Sequence, residues 1–188
     1  GCAAPLKSLL DTYETIDGKT IQSLPASERQ QYEKNPLYKP RDPRLAATYI
    51  LPGDNSSISN YTYTPFDPGS SDYVGKTGAS RSGSLDFPLY RYAEVLLDYV
   101  ECLVETGDWQ NPDVETYINM IRHRAGLPAM DKSVYNTQEK VRELYRRERR
   151  VELCFENKRY DDIRRWGIGT ETMSGPIYGA WNPNDEAF

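Results

Sequence analysis

The stretch ERRVELCFENKRYDDIRRW, residues 148–166, carries eleven charged side chains in nineteen, with Val151, Leu153, Cys154, Phe155, Ile163 and Trp166 threaded among them. Glu148, Glu152 and Glu156 fall four apart, so a helix ranges them along one side, and Arg159 continues the row three residues later. Val151 and Phe155 adjoin them, which puts the acids at the edge of an apolar stripe where carboxylates need partners. Three uses suit such a ladder. A glycosidase acid and base must flank a sugar from two sides at a set separation, whereas adjacent rungs of one helix run parallel. A carboxylate-bridged pair of metal ions requires Glu-x-x-His pairs on facing helices, and the one histidine, His123, belongs to no such pair. The third use is structural: each glutamate receives an arginine in a charge-assisted, often bidentate hydrogen bond. Arg91, Glu94, Glu101 and Arg122 on the preceding segments are the partners this reading expects.

Other reaction centres find little support. His123 is the sole imidazole for a nucleophile triad, it lies beside arginines at an expected helix end, and no Gly-x-Ser-x-Gly turn accompanies it. Neither GKTGAS nor GIGTET has the spacing of a phosphate-cradling loop. A net charge of -5 argues against nucleic acid as the main partner, and the arginines of the charged stretch alternate with acids. Three cysteines without C-x-x-C spacing indicate neither a disulfide framework nor a zinc site. Cys102 and Cys154 read as small core residues. Cys2 raises the question of a lipid-bearing residue, but no charged segment and apolar run precede it, and an internal piece of a longer protein is the better account. No segment is apolar over enough length to span a membrane.

The elements that would position these residues follow from pattern. With 38% hydrophobic residues in 188, the chain can bury a core, while 13 Gly and 13 Pro point to long irregular loops. LKSLLDTY gives a short apolar patch, DGKT a turn, and Pro25 or Ser27 starts a short helix from about 26 to 33. RDPRLAATYIL, 41–51, ends in a β-branched and aromatic run that predicts a short strand. Residues 52–84, rich in turn formers, read as a long loop with a short hairpin.

The helical part comes next. Tyr92, Leu96, Tyr99, Val100 and Leu103 repeat at helical spacing, and Gly107 ends that helix. Asp113 or Pro112 starts a second one with an apolar face of Val114, Tyr117, Ile118 and Ile121, stopped by Gly126, with Arg122, His123 and Arg124 in the last turn, where a helix favours positive charge. Asn136 and Glu139 form a capping pair for a third, running through Val141, Leu144, Tyr145, Val151 and Phe155. Residues 167–188 are again Gly-rich and aromatic. The expected fold is mainly α: a bundle of tetratricopeptide-like helix pairs with long irregular loops and a few short strands. It makes one region over 1–188, with a helical framework at about 87–166 and loop-rich flanks at 1–86 and 167–188.

DTYETIDGK near the start, RDPRL at 41–45, FPLYRYAEVLLDYVEC from Phe87, YINMIRHRAGLP from Tyr117 and the charged stretch together span most of residues 9–166. In this order they resemble the C-terminal half of SusD/RagB-type proteins, the surface glycan-binding lipoproteins of Bacteroidetes-like bacteria. The family pattern usually opens with a signal peptide, a lipid-bearing cysteine and tetratricopeptide-type helices, and closes with a Pro- and Asn-rich motif. Those parts are not matched here, so Cys2 is not equated with the lipidated residue. Cys102 stands where the family more often has alanine. The resemblance implies a binding protein without catalytic activity, cofactor or metal. Such a protein is held at the outer-membrane surface by a lipid anchor outside this segment. It hands oligosaccharide, or peptide in some members, to a SusC-like TonB-dependent transporter. It also implies that Arg91, Glu94, Glu148, Arg149, Glu152, Glu156, Arg159, Asp162, Arg165 and Trp166 are framework positions. A structural adaptor touching only the transporter, and a hydrolase using Glu148 or Glu152, are the rival readings.

A sugar presents a weakly apolar ring face edged with hydroxyls, so its site needs an exposed aromatic platform rimmed by amide, carboxylate or guanidinium groups. Two loop regions have that composition. Tyr61, Tyr63, Phe66 and Tyr73 alternate with Asn, Asp and Ser in the first, and Tyr178 and Trp181 with Asn182 and Asp185 in the second. Tyr61, Tyr63, Tyr73, Tyr178 and Trp181 are the ligand-contact candidates. Against this, loop aromatics commonly fold back over a bundle. Trp109 reads as a staple between two helices and Trp166 as buried framework.

Overall fold

The computed structural model describes residues 6–34, 38–49 and 89–178. Local chemistry begins and ends the three long helices. Asn111 accepts a hydrogen bond from the Asp113 amide at 3.0 Å and Pro112 pre-sets the first turn, giving a helix over Pro112–Arg124. It stops at Gly126, whose φ of +82° lets the Leu127 amide bond back to the Arg122 carbonyl at 2.9 Å. The preceding helix, Tyr92–Glu105, ends the same way at Gly107, with Asp108 bonding to Leu103. The third, Gln138–Glu152, is capped by Thr137, one residue beyond the expected Asn136.

In chain order the helices are α1 Lys7–Leu10, α2 Ala26–Lys34, α3 Pro43–Thr48, α4 Tyr92–Glu105, α5 Pro112–Arg124, α6 Gln138–Glu152, α7 Arg159–Arg165 and α8 Gly169–Met173, with a 3₁₀ turn at Ile21–Ser23. The fold is mainly helical. Thr15 and Arg41 form an antiparallel β-bridge. RDPRLAATYIL begins as helix α3: Asp42 caps it by accepting from the Arg44 amide at 2.9 Å and Pro43 takes the first position. Of the run at its end, expected as a short strand, Thr48 closes the helix, Tyr49 is extended, and Ile50 and Leu51 lie outside the described residues. The segment at 52–84, read as loop and hairpin, lies outside the described residues, as does Cys2.

Helix α4 packs against both α5 and α6. Val100, Val104, Val114, Ile118, Met130, Val141, Leu144 and Tyr145 form the main core between them, and Leu96, Leu97 and Ile121 extend it. A second core unites Leu10, Tyr13, Leu45, Tyr49 and Val151, so α6 is buried on two sides. Apart from Leu89, the described residues belong to one compact unit built from Gly1–Pro52 and Tyr90–Phe188.

The buried face of α4 differs from the expected stripe. Tyr92 and Tyr99 are exposed and Leu103 is half-buried, while Glu94 and Glu101 lie in the buried face. Cys102 is an exposed free thiol and Cys154 a half-buried one, so neither is a fully buried core residue. Helix α6 stops at Glu152, short of the expected Phe155. Phe155 adopts a φ of +65° and turns outward, so Glu156 and Arg159 do not continue one helical ladder.

Candidate functional site

Glu148 and Glu152 stand one turn apart on α6 with side chains only 2% exposed. Each is enclosed by guanidinium groups. Arg122 donates from Nη1 to Glu148 at 2.5 Å, and Arg44 from Nη2 at 3.0 Å. Glu152 accepts from Arg44 Nη1 at 3.0 Å and Arg91 Nη1 at 2.7 Å, and also meets Arg124. Arg91 forks onward, its Nε reaching Glu156 at 2.8 and 2.9 Å. Burial opposes charge on Arg44, yet hydrogen bonds to Asp42 and the field of Glu148 hold its pKa above the ordinary value. Arg122 is likewise raised: Glu148 and Glu14 outweigh its burial.

A second set of pairs ties α7 to α4 and α6. Arg149 Nε contacts both oxygens of Asp162, at 2.8 and 2.9 Å, and its Nη1 reaches Asp98 at 2.6 Å. Arg165 donates from Nη2 to Glu101 at 2.6 Å and to Asp162 at 2.8 Å. Hydrogen bonding to Glu101 raises the Arg165 pKa against partial desolvation. Glu94 accepts from Lys158 at 3.0 Å. Trp166 is half-buried, where full burial was expected: its indole donates to Glu101 at 2.7 Å, its ring meets Tyr145 edge-on, and Arg146 and Arg165 lie over it at 4.6 and 4.9 Å.

The expected partners Arg91, Glu94, Glu101 and Arg122 thus all join the network. Arg44 and Glu14 were missed. Glu14, 2% exposed, forms ion pairs with Arg122 at 2.9 Å and Arg147 at 2.6 Å, bringing the turn after α1 onto the bundle. RDPRL and DTYETIDGK, two of the segments that carry the family resemblance, contain Arg44 and Glu14, but neither residue was singled out within them.

This arrangement is a scaffold. The acids converge on arginines rather than on an open cleft, with the side chains of Glu148 and Glu152 almost fully buried. Among the described residues no group of three or more His, Cys, Asp or Glu side chains is placed to hold a metal ion. No helix among them is long and apolar enough to cross a membrane. His123 is exposed at the end of α5.

Of the ligand-contact candidates, Tyr61, Tyr63, Tyr73 and Trp181 lie outside the described residues, together with Phe66. Tyr178 is described: the residue is 62% exposed, and its carbonyl accepts from the Lys7 amide at 3.0 Å, so the chain there is tied to α1. Trp109 packs half-buried on the core joining α4, α5 and α6, as a staple would.

A helical bundle bolted together by buried arginine–carboxylate pairs defines a scaffold, and comparison with known proteins says to which family it belongs. Residues 52–187 match the model of the SusD family, and the chain belongs to that family. SusD-like protein P2 of Formosa agariphila is 32% identical over 165 residues, covering 78% of this chain and 32% of that protein. Among solved structures, a SusD-like protein from Bacteroides fragilis superimposes with a TM-score of 0.61 at 27% identity, covering 96% of this chain and 42% of the other. The selenomethionine form of BT4246, at 19% identity and a TM-score of 0.65, shares the fold over 96% of this chain and 41% of its own. The chain therefore spans under half the length of each of these three relatives.

Proposed function

We propose that the protein is a non-catalytic glycan-binding component of a SusC/SusD-type nutrient-uptake system. In this reading it is held at the outer-membrane surface as a lipoprotein and delivers oligosaccharide to a SusC-like TonB-dependent transporter. Membership of the SusD family supports the reading. The observation that carries it is the enclosure of Glu148 and Glu152 by Arg44, Arg91 and Arg122, which occupies the carboxylates that a hydrolase would need. Ligand contact is assigned to the loop aromatics Tyr61, Tyr63, Tyr73, Tyr178 and Trp181, whose ring faces suit the apolar face of a sugar.

Isothermal titration against a panel of polysaccharides and their oligomers tests this. Binding is expected to disappear when Tyr61, Tyr63 and Trp181 are all changed to Ala, and to survive changes at surface acids. Undiminished binding by the triple variant overturns the site assignment. Release of reducing ends from any polysaccharide, abolished by Glu148→Gln, overturns the non-catalytic reading. Complex formation with the transporter without glycan binding would leave an adaptor in its place.

A further inference from the structure

Arg44, Arg91, Arg122, Arg149 and Arg165 each reach two or more carboxylates. Arg150 and Arg159 break this rule. Both are half-buried, and no carboxylate among the described residues lies within ion-pair distance of either. Arg150 has only a long contact from Nη2 to Ser8 Oγ at 3.5 Å, and Arg159 lies 5.9 Å from the centroid of the Trp166 ring. Burial lowers the pKa of both; for Arg159, with the charge of Arg150 adding to it, the value falls to about 10. They remain cations at neutral pH, without an ion-pair partner among the described residues, in a place where desolvation is costly.

The two arginines border one groove of about 550 Å³, within the size range of small-ligand sites. Leu153, Phe155 and Tyr160 supply its apolar wall. Phe155 is 65% exposed and holds a φ of +65°, a backbone conformation that bulky side chains rarely adopt. The other charged groups of the groove are already committed: Asp162 to Arg149 and Arg165, and Lys158 to Glu94. The two arginines also border a second recess of about 420 Å³, where Asp11 and Glu143 carry negative charge and Arg146 and Arg147 positive. Asp11 is paired with Lys7 at 2.5 Å. What the groove offers is two guanidinium forks beside exposed aromatic faces, which matches a sugar ring that bears an oxyanion.

We propose that this groove is a subsite for acidic saccharide, with a carboxylate or sulfate held by Arg150 and Arg159 and the sugar ring laid against Phe155 or Tyr160. The inference rests on the glycan-binding reading above and narrows its ligand class. It alters one implication of the family resemblance, in which Arg159 is framework only.

The test is titration calorimetry of the protein with an oligouronide, a sulfated oligosaccharide and a neutral oligosaccharide of equal length, at low and moderate salt. At least one acidic ligand is expected to bind about tenfold or more tightly than the neutral one, the gain of charge-assisted hydrogen bonds, and which one it is separates carboxylate from sulfate. The double variant Arg150→Gln/Arg159→Gln is expected to lose that preference while melting at or above the wild-type temperature, because no carboxylate is deprived of a partner. Arg159→Lys is expected to keep part of the preference, having the charge without the fork. Equal affinity for acidic and neutral ligands, or acidic binding undiminished in the folded double variant, overturns the proposal. If neutral saccharide binds without preference for acid, this inference alone fails; if no saccharide binds, the glycan-binding reading fails with it.

Discussion

Arg122 and Glu148 meet at 2.5 Å between α5 and α6, with side chains 1% and 2% exposed. The same guanidinium pairs with Glu14 at 2.9 Å and donates to the Pro128 carbonyl at 2.9 Å, so one side chain ties together α6, the turn after α1 and the loop after α5. Sequence reading placed Arg122 in the last turn of α5 and among the expected partners of the glutamates; the structure makes it the centre of the interior.

Replacing one member of a buried ion pair leaves the other desolvated and uncompensated, at about 3–5 kcal/mol. Arg122→Met is expected to lose stability in that range by urea denaturation, even though Glu14 keeps Arg147 and Glu148 keeps Arg44. Adding Glu148→Leu should cost less than the sum of the two single changes, because the second removal takes away a charge that the first left unpaired. A loss under about 1 kcal/mol for Arg122→Met would mean that the network is not what holds these helices together.

Glu105 accepts from Arg142 Nε and Nη2 at 2.8 and 2.9 Å and from the Tyr145 hydroxyl at 2.6 Å. Arg142 lowers its pKa from 4.5 to about 2, against the opposing effect of partial burial and with help from Tyr145. A depressed carboxylate stabilises the fold above its unfolded pKa, and that contribution disappears as pH falls through the folded value. The difference in melting temperature between wild type and Arg142→Gln should therefore be largest above pH 4.5 and close by about pH 2. A constant gap across that window would assign the effect to packing instead.

The helices were legible because their signals are local: caps at Asn111 and Thr137 lie within a residue or two of where pattern placed them, and Gly107 and Gly126 stop α4 and α5 as expected. The face of α4 was not. Glu94 and Glu101, expected as ion-pair partners, lie within its buried face, where Lys158 and Arg165, more than sixty residues later, neutralise them, while Tyr92 and Tyr99 look like core and are exposed. Aromatic spacing says only that a residue is apolar; which side of a helix is buried depends on where distant charges end up. The same limit hid Glu14, whose role depends on two arginines more than a hundred residues away.

Gly18 and Gly107 both hold positive φ, +78° and +92°, but their surroundings differ. A Cβ at Gly18 would come 2.9 Å from Pro128 Cγ and 3.0 Å from the Arg122 Nη2 that serves Glu14, whereas one at Gly107 meets nothing within 4 Å. Gly107→Ala should cost only the left-handed backbone penalty, about 1–2 kcal/mol. Gly18→Ala should cost more, since it adds a clash with a proline ring and displaces a central ion pair. Chemical denaturation of the two variants side by side checks the order, and equal losses would show that the turn at Gly18 gives way freely.

Phe155 ends the α6 segment in a left-handed conformation that costs a side-chain-bearing residue about 1–3 kcal/mol. In return its ring makes one edge contact, with Tyr49 at 5.8 Å, worth about 0.5–1.5 kcal/mol. These magnitudes nearly cancel, so Phe155→Gly, which removes both, should leave stability within about 1 kcal/mol of wild type, where a core Phe truncation costs about 3–5 kcal/mol. Phe155→Ala loses the ring and keeps the strain, so it should be less stable than the Gly variant by about 1 kcal/mol. That order reverses the usual preference for alanine over glycine, and thermal melts of the pair decide it: an alanine variant that melts higher would mean that the backbone at 155 relaxes once the ring is gone.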